Sequence, residues 1–389
     1  MLAVYTRLLP LPSHTFFLFG PRGTGKTTWL RAMLPNATWF DLVRSNEYLR
    51  LMRAPELFRQ EVEALPKGSW IVIDEVQKLP RLLDEVHGLI AEHGNRYRFA
   101  LSGSSARKLR RLDVNLLAGR AINRTFFPLV AAELDFEFEV DDLLATGLLP
   151  KVRSEPEHAI DVLEAYAANY LHQEIQQEAL VKDLDSFARF LEVAAIVNGQ
   201  VVNVASIARD AGVARPTVQR YFDVLTDTLI GTWLPAWRPR RKVKEVAHPK
   251  FFFFDPGVVR ALQHKLREPV ENEERGALLE TLVLHELRAW MSIANVGGEL
   301  AYWSTPTRSE VDFVWTRGKT AVGIEVKASK TWRPEFGAPL REMAEEGVVQ
   351  RAFGVYLGKE RLKLGEALVL PLTEFLRELH AGKVLGART

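Results

Sequence analysis

Apolar positions along this chain change rhythm from one region to the next. Up to about residue 130, continuous apolar runs of strand length alternate with stretches of helical spacing. "HTFFLFG" (14–20), "ATWFDL" (37–42), "SWIVIDE" (69–75), "YRFALSG" (97–103) and "NRTFFPL" (123–129) are the strand-length runs. The third is apolar on both faces, as a buried parallel strand requires. "KTTWLRAML" and "NEYLRLMRAPELFRQEVEAL" lie between them with helical period. Strands alternating with helices predict an α/β fold, a parallel sheet with helices on both faces. From 139 to 197 the pattern is largely helical, with "ATGLLPKV" as its main break. "VNVASIARDAGVARPTVQRYFDVLTDTLIGTWL" (202–234) then reads helix, glycine-containing turn, helix, with Pro216 opening the second helix at a position that suits proline. "ERGALLETLVLHELRAWM" (274–291) is another helix by period, and "EVDFVWTRGKTAVGIEVKAS" (310–329) reads as two strands joined by a turn around Gly318. The expected domain borders are 1–135, 136–250 and 251–389.

The glycine loop sharpens the first domain. Gly20, Pro21, Arg22, Gly23, Thr24, Gly25, Lys26 and Thr27, followed by Thr28, stand between a strand and a helix, and match the P-loop pattern. Glycines let backbone N–H groups curl around phosphate, and the helix N-terminus adds positive charge. In this reading the loop binds ATP, Lys26 reaches the β/γ-phosphates and the Thr27 hydroxyl holds Mg²⁺. Asp74 and Glu75 close the apolar strand "WIVIDE" as a Walker B pair. Asp74 orients the Mg²⁺ shell and Glu75 polarises the attacking water. Ser102 is the choice for a γ-phosphate sensor, with Ser104 and Ser105 as alternatives. Arg120, at the end of "LLAGR", resembles the arginine finger that AAA+ ATPases insert into a neighbour's site, with Arg124 as competitor; this implies a homo-oligomer, a ring.

The helix-turn-helix reading places Arg215, Gln219 and Arg220 outward, as a recognition helix, or as the exposed side of a structural lid. "WRPRRKVKEVAHPK" (237–250) follows, with Arg238, Arg240, Arg241, Lys242, Lys244 and Lys250 against the single acid Glu245. A basic hairpin or wing of this kind suits DNA phosphates, and "SSARKLRRL" (104–112) is a weaker second patch. A net charge of +2 on 389 residues announces nothing by itself, so this local excess carries the expectation.

Glu280 shares the apolar face of its helix with Gly276, Val283, Leu284 and Leu287, and a buried carboxylate must be paired or hold a metal. Asp312 follows in one strand. Glu325 and Lys327 come thirteen residues later in the next, on one face because strand side chains alternate. Together Glu280, Asp312, Glu325 and Lys327 resemble the core of PD-(D/E)XK nucleases, although Val311 stands where the name has proline. That resemblance implies one or two Mg²⁺ ions on the acids and a lysine that orients or deprotonates the attacking water.

Composition bounds the rest. Hydrophobic content of 47% with 26% charged residues is ordinary for a globular protein. The absence of cysteine excludes disulfides and thiolate metal sites. No stretch approaches a membrane span of ~18 apolar residues, and the N-terminus does not read as a signal peptide, so the expected location is cytoplasmic with no membrane partner. "GPRGTGKTT", "IVIDEVQKLP", "LSGSSARKL", "LAGR", "FFFDPGVVRAL", "LLETLVLHEL" and "EVDFV…GIEVKAS" together resemble bacterial and archaeal AAA+ ATPases with a restriction-endonuclease-like C-terminal domain. The resemblance implies an oligomeric ATPase, and makes duplex or branched DNA, such as a Holliday junction, the expected substrate of a helicase- or translocase-like motor. A nucleotide switch for signalling or defence, binding a partner protein through its last domain, is the competing expectation.

Overall fold

The computed structural model describes residues 5–105, 119–170, 183–239, 248–305 and 309–386. Two compact units emerge. One is Leu9–Pro128 with Asp227–Leu229; the other joins the segment ending at Leu8 to Leu129–Thr226 and everything from Ile230 onward.

In the first unit the order is β1 (Phe16–Phe19), α1 (Lys26–Met33), β2 (Thr38–Asp41), α2 (Ser45–Arg53), α3 (Glu56–Glu63), β3 (Trp70–Asp74), α4 (Leu82–His93), β4 (Arg98–Gly103) and β5 (Ile122–Thr125). All neighbouring strands are parallel, in the order β2-β3-β4-β1-β5. Side chains alternate across a strand, so Phe17, Phe19, Ile71, Ile73, Phe99 and Leu101 pack on one face against Leu51, Phe58, Val62, Leu82, Val86 and Leu89 of α2 to α4. Phe16, Leu18, Val72 and Ala100 pack on the other against Trp29 and Leu30 of α1. Both faces are covered, as the apolar runs require. Because β4 lies between β1 and β3, Ser102, level with Leu18 of β1, comes beside the end of β3.

The second unit opens with helices α5 (Val140–Thr146), α6 (Pro150–Ser154), α7 (Ala159–Ala165) and α8 (Leu184–Ile196). Next come α9 (Val204–Asp210), α10 (Arg215–Asp227) and the antiparallel hairpin of β6 (Gly231–Leu234) with β7 (Lys250–Phe253). Asn203 caps α9 by accepting the N–H groups of Ala205 and Ser206 at 3.0 and 3.1 Å. α10 buries Val218, Tyr221, Phe222 and Leu225 and leaves Arg215, Gln219 and Arg220 exposed. The hairpin docks through aromatic rings, Phe222, Trp233 and Phe251 lying 4.7–5.0 Å apart between centroids. Helix, turn and helix therefore follow one another as the sequence predicts.

The chain continues through α11 (Pro256–Leu262), α12 (Asn272–Ala294), β8 (Glu299–Ser304), β9 (Glu310–Arg317), β10 (Thr320–Lys327), α13 (Ala338–Glu345), β11 (Arg351–Tyr356), β12 (Leu362–Leu364), β13 (Ala367–Pro371) and α14 (Leu372–His380). These strands form one sheet in the order β12-β13-β11-β10-β9-β8. β9 runs antiparallel to both β8 and β10, while β11 runs parallel to β10 and β13. The border expected between 250 and 251 runs through β7. Asn198, just after α8, donates to the Thr281 hydroxyl on α12 at 2.8 Å and accepts the Phe253 N–H at 2.8 Å, so the helices before that border and the elements after it are tied together. Among the described residues no helix is long and apolar enough to cross a membrane.

One buried cation holds the loop between α11 and α12. Arg260 is 1% exposed and donates to the carbonyls of Lys265, Glu268 and Pro269 at 2.7, 2.6 and 3.3 Å, with Glu274 3.6 Å away. Arg260→Met keeps most of the volume and strands these acceptors. We expect it to lower the stability of this unit by about 3–5 kcal/mol in urea unfolding. A loss below about 1 kcal/mol would show that water satisfies the carbonyls instead.

Candidate functional site

Two constellations carry chemistry, one in each unit. In the first, the glycine loop leaves β1 and enters α1. Gly25 caps α1 at φ 91°, a left-handed conformation that glycine adopts without strain. At Gly20 a Cβ would stand 2.2 Å from the Phe126 carbonyl oxygen, so only glycine fits there. The Thr24 hydroxyl closes the loop on the Pro21 carbonyl at 2.8 Å. Lys26 lies under it, buried, its ammonium donating to the carbonyls of Gly20 and Pro21 at 2.7 and 3.1 Å. The Thr27 hydroxyl donates to Asp74 Oδ2 at 2.8 Å, and the Ser102 hydroxyl donates to Asp74 Oδ1. The strand order explains this: β4 brings Ser102 between the loop and the end of β3. A hydroxyl and a carboxylate held together by a second hydroxyl make a hard oxygen donor set, which fits Mg²⁺. Glu75 follows Asp74 with φ 58°. Its carboxylate accepts the Gln77 amide, which also donates to the Ser104 hydroxyl at 3.1 Å.

In the second unit, the antiparallel register of β9 and β10 and the flank of α12 assemble the acids. The Val326 N–H donates to Asp312 Oδ2 at 2.7 Å. The Lys327 ammonium donates to Glu325 Oε1 at 2.5 Å and lies 3.8 Å from Asp312 Oδ2. Lys250, at the start of β7, is buried and donates to Glu310, with Glu280 Oε2 3.8 Å away. Burial, with the neighbouring Asp312 charge, drives Glu325 well above the usual carboxylate range. The same causes in the same order push Glu280 up to about 8, against the opposing pull of Lys250. Burial works against the charge on both lysines, yet each ends above the ordinary lysine value: Lys327 through Asp312 and Glu325, Lys250 through Glu280, Asp312 and Glu310. Glu325 Oε2 is buried with no hydrogen-bond partner, the kind of atom a bound cation satisfies, so the donor set fits a divalent ion as well.

Residues 13–134 match the family described as AAA domain. The first unit is a P-loop ATPase domain of the AAA type. Residues 137–269 and 275–375 match families described as domains of unknown function, DUF8612 and DUF4143 respectively. Two relatives, the uncharacterized proteins Mb2031c of Mycobacterium bovis and Rv2008c of Mycobacterium tuberculosis, are each 28% identical over 360 residues, covering 90% of this chain and 78% of theirs. Among solved structures, a RuvB variant of Thermotoga maritima is 18% identical, covering 57% of this chain and 82% of that one with a TM-score of 0.29. Protein VC1899 of Vibrio cholerae is 12% identical, covering 96% and 99% with a TM-score of 0.22. Likeness at these scores bears on neither fold nor function.

The AAA domain gathers Lys26, Thr27, Asp74, Glu75 and Ser102 at the C-terminal ends of its central strands. Arg120 lies elsewhere on it, exposed, with one guanidinium nitrogen 2.5 Å from His87 Nε2 of α4. Of the basic wing, Arg238 is exposed, while Arg240, Arg241, Lys242 and Lys244 lie outside the described residues, as do residues 106–112 of the second patch. One assignment needs correction. Lys250 is no wing cation but a buried partner of the acid cluster. Trp237, at the start of the basic stretch, packs against the core around Trp303 and Val314. Glu310 and Gln77 escaped sequence reading. For Glu310 a signal existed, since it is two residues before Asp312 and so on the same strand face. A further acidic group, Glu63, Glu92 and His93, has ligand atoms within 4.8 Å of one another, but the Arg59 guanidinium pairs with both glutamates.

Proposed function

We propose that this chain is an ATP-driven, DNA-acting oligomer whose second unit grips duplex or branched DNA and carries a Mg²⁺-dependent, nuclease-like site. The observation that carries the reading is the hairpin of β6 and β7. In sequence the basic run leads directly into Lys250, the first residue of β7, whose ammonium meets Glu310 and Glu280 beside Asp312. A phosphodiester backbone drawn to those cations would thus be engaged next along the chain to the strand that meets the carboxylates. The outward Arg215 and Arg220 on the second helix of a helix-turn-helix add to that support.

Asp312 and Glu325 would hold the Mg²⁺, which when bound polarises a phosphoryl oxygen and acidifies its water. Lys327 keeps a charged ammonium against both carboxylates and orients the nucleophile's side of the site. Val326 fixes the Asp312 rotamer through its N–H. In the AAA domain, Lys26 takes up charge on the β/γ-phosphates, Thr27 and Asp74 supply the ion's oxygen ligands, and Glu75 positions the attacking water.

The test is ATP hydrolysis in Mg²⁺ with no DNA, with linear duplex and with a four-way junction, the labelled DNA being followed on a gel from the same tubes. Stimulation that is strongest with the junction, together with strand movement or cleavage, is the expected result. If cleavage is seen, Glu325→Ala should remove it and leave ATPase intact. Equal hydrolysis in all tubes with unchanged DNA would overturn the reading in favour of a nucleotide switch that engages a protein partner.

A further inference from the structure

The acid cluster contains a cation that the four-residue nuclease-like pattern does not include. Lys250 arrives from β7, outside the sheet that carries Asp312 and Glu325, and is 4% exposed. Its ammonium donates to Glu310, lies 3.8 Å from Glu280 and stands 5.1 Å from the centre of the Tyr302 ring. Lys327 holds the opposite side, on Glu325 and Asp312. Four carboxylates and two ammonium groups thus share one setting, buried at Lys250, Asp312 and Glu325 and half-buried at Glu280, Glu310 and Lys327. With the carboxylates ionised, the formal charge left over is that of one divalent cation. Two such ions would leave a surplus of positive charge in a place where unbalanced charge is costly. The open valence is one-sided too: Glu325 Oε2 has no partner, whereas Glu280 and Glu310 face the Lys250 ammonium.

We propose that Lys250 takes the place of a second metal ion, so that this site binds a single divalent cation on Asp312 and Glu325 while Lys250 holds Glu280 and Glu310 out of ligation. The inference rests on the metal-site reading above. It makes Lys250 a positioning residue and assigns Glu280 to charge balance instead of to metal. It also links the ion site to β7, the strand that directly follows the basic run in sequence.

The test counts bound Mn²⁺ per full-length, nucleotide-free chain, by electron paramagnetic resonance of the free ion. The count is taken as the difference from an Asp312→Asn, Glu325→Gln double variant, which subtracts ions held at exterior acids. The expected difference is one ion for the natural chain, two for Lys250→Met and one for Lys250→Arg. A difference of two in the natural chain overturns the inference and leaves the metal-site reading standing, and this decides the matter even if Lys250→Met does not fold. A folded Lys250→Met that still binds one ion also overturns it. No difference in the natural chain would remove the metal site itself, and the inference with it.

Discussion

A Lys26→Ala chain should bind ATP about 100- to 10,000-fold more weakly and lose hydrolysis altogether. Its ammonium already lies within the loop, on the carbonyls of Gly20 and Pro21, so nucleotide binding asks for a short exchange of acceptors and no refolding. Each charge-assisted hydrogen bond to a phosphate oxygen contributes about 1.5–3 kcal/mol. Two of them account for about 3–6 kcal/mol, and every 1.4 kcal/mol is about tenfold in affinity. Equilibrium binding of a fluorescent ATP analogue measures the loss directly. The melting transition of the variant serves as control, because Lys26 is buried and its loss leaves two loop carbonyls without their donor. An affinity within about threefold of the natural chain, on a folded protein, would mean that the backbone amides of the loop do the work attributed to Lys26.

The features read correctly from sequence are those whose geometry is local. The glycine loop, the apolar strand ending in Asp74 and the helix-turn-helix each depend on spacing within a few residues, and each appears where the pattern places it. Continuous apolar strands also told correctly that both sheet faces are covered. What escaped depends on which strands become neighbours. That Ser102 bonds Asp74 follows from β4 lying between β1 and β3, and no periodicity states a strand order. Lys250 was misjudged for the opposite reason. Counted along the chain it completes a run of cations, but it opens a strand buried at every position, "KFFF", where a charge needs an opposite charge. The acids it meets are 30 and 60 residues further on. Glu280 was legible as a carboxylate on an apolar helix face. Its partner was not, because only the folded chain brings Lys250, at the start of β7, within reach of Glu280 on α12.

Glu75→Gln should leave ATP affinity within a few-fold and lower kcat by about 100- to 10,000-fold, the range general-base catalysis supplies. The substitution is nearly isosteric, and a glutamine carbonyl oxygen can still accept the Gln77 amide that the carboxylate accepts now. Position 75 is left-handed, at φ 58° and ψ 50°, and any side chain with a Cβ meets the same strain there, so the exchange adds none. What disappears is the charge that polarises water. Asp74, with Thr27 and Ser102 bonded to it, stays as it is, so the ion-binding oxygens survive and nucleotide remains bound. Single-turnover hydrolysis beside equilibrium nucleotide binding separates the two effects. If kcat and affinity fell together, Glu75 would belong to the ion and nucleotide ligands. If neither fell, the water would be activated elsewhere, and the buried Gln77–Ser104 pair at the end of β4 would be the next place to look.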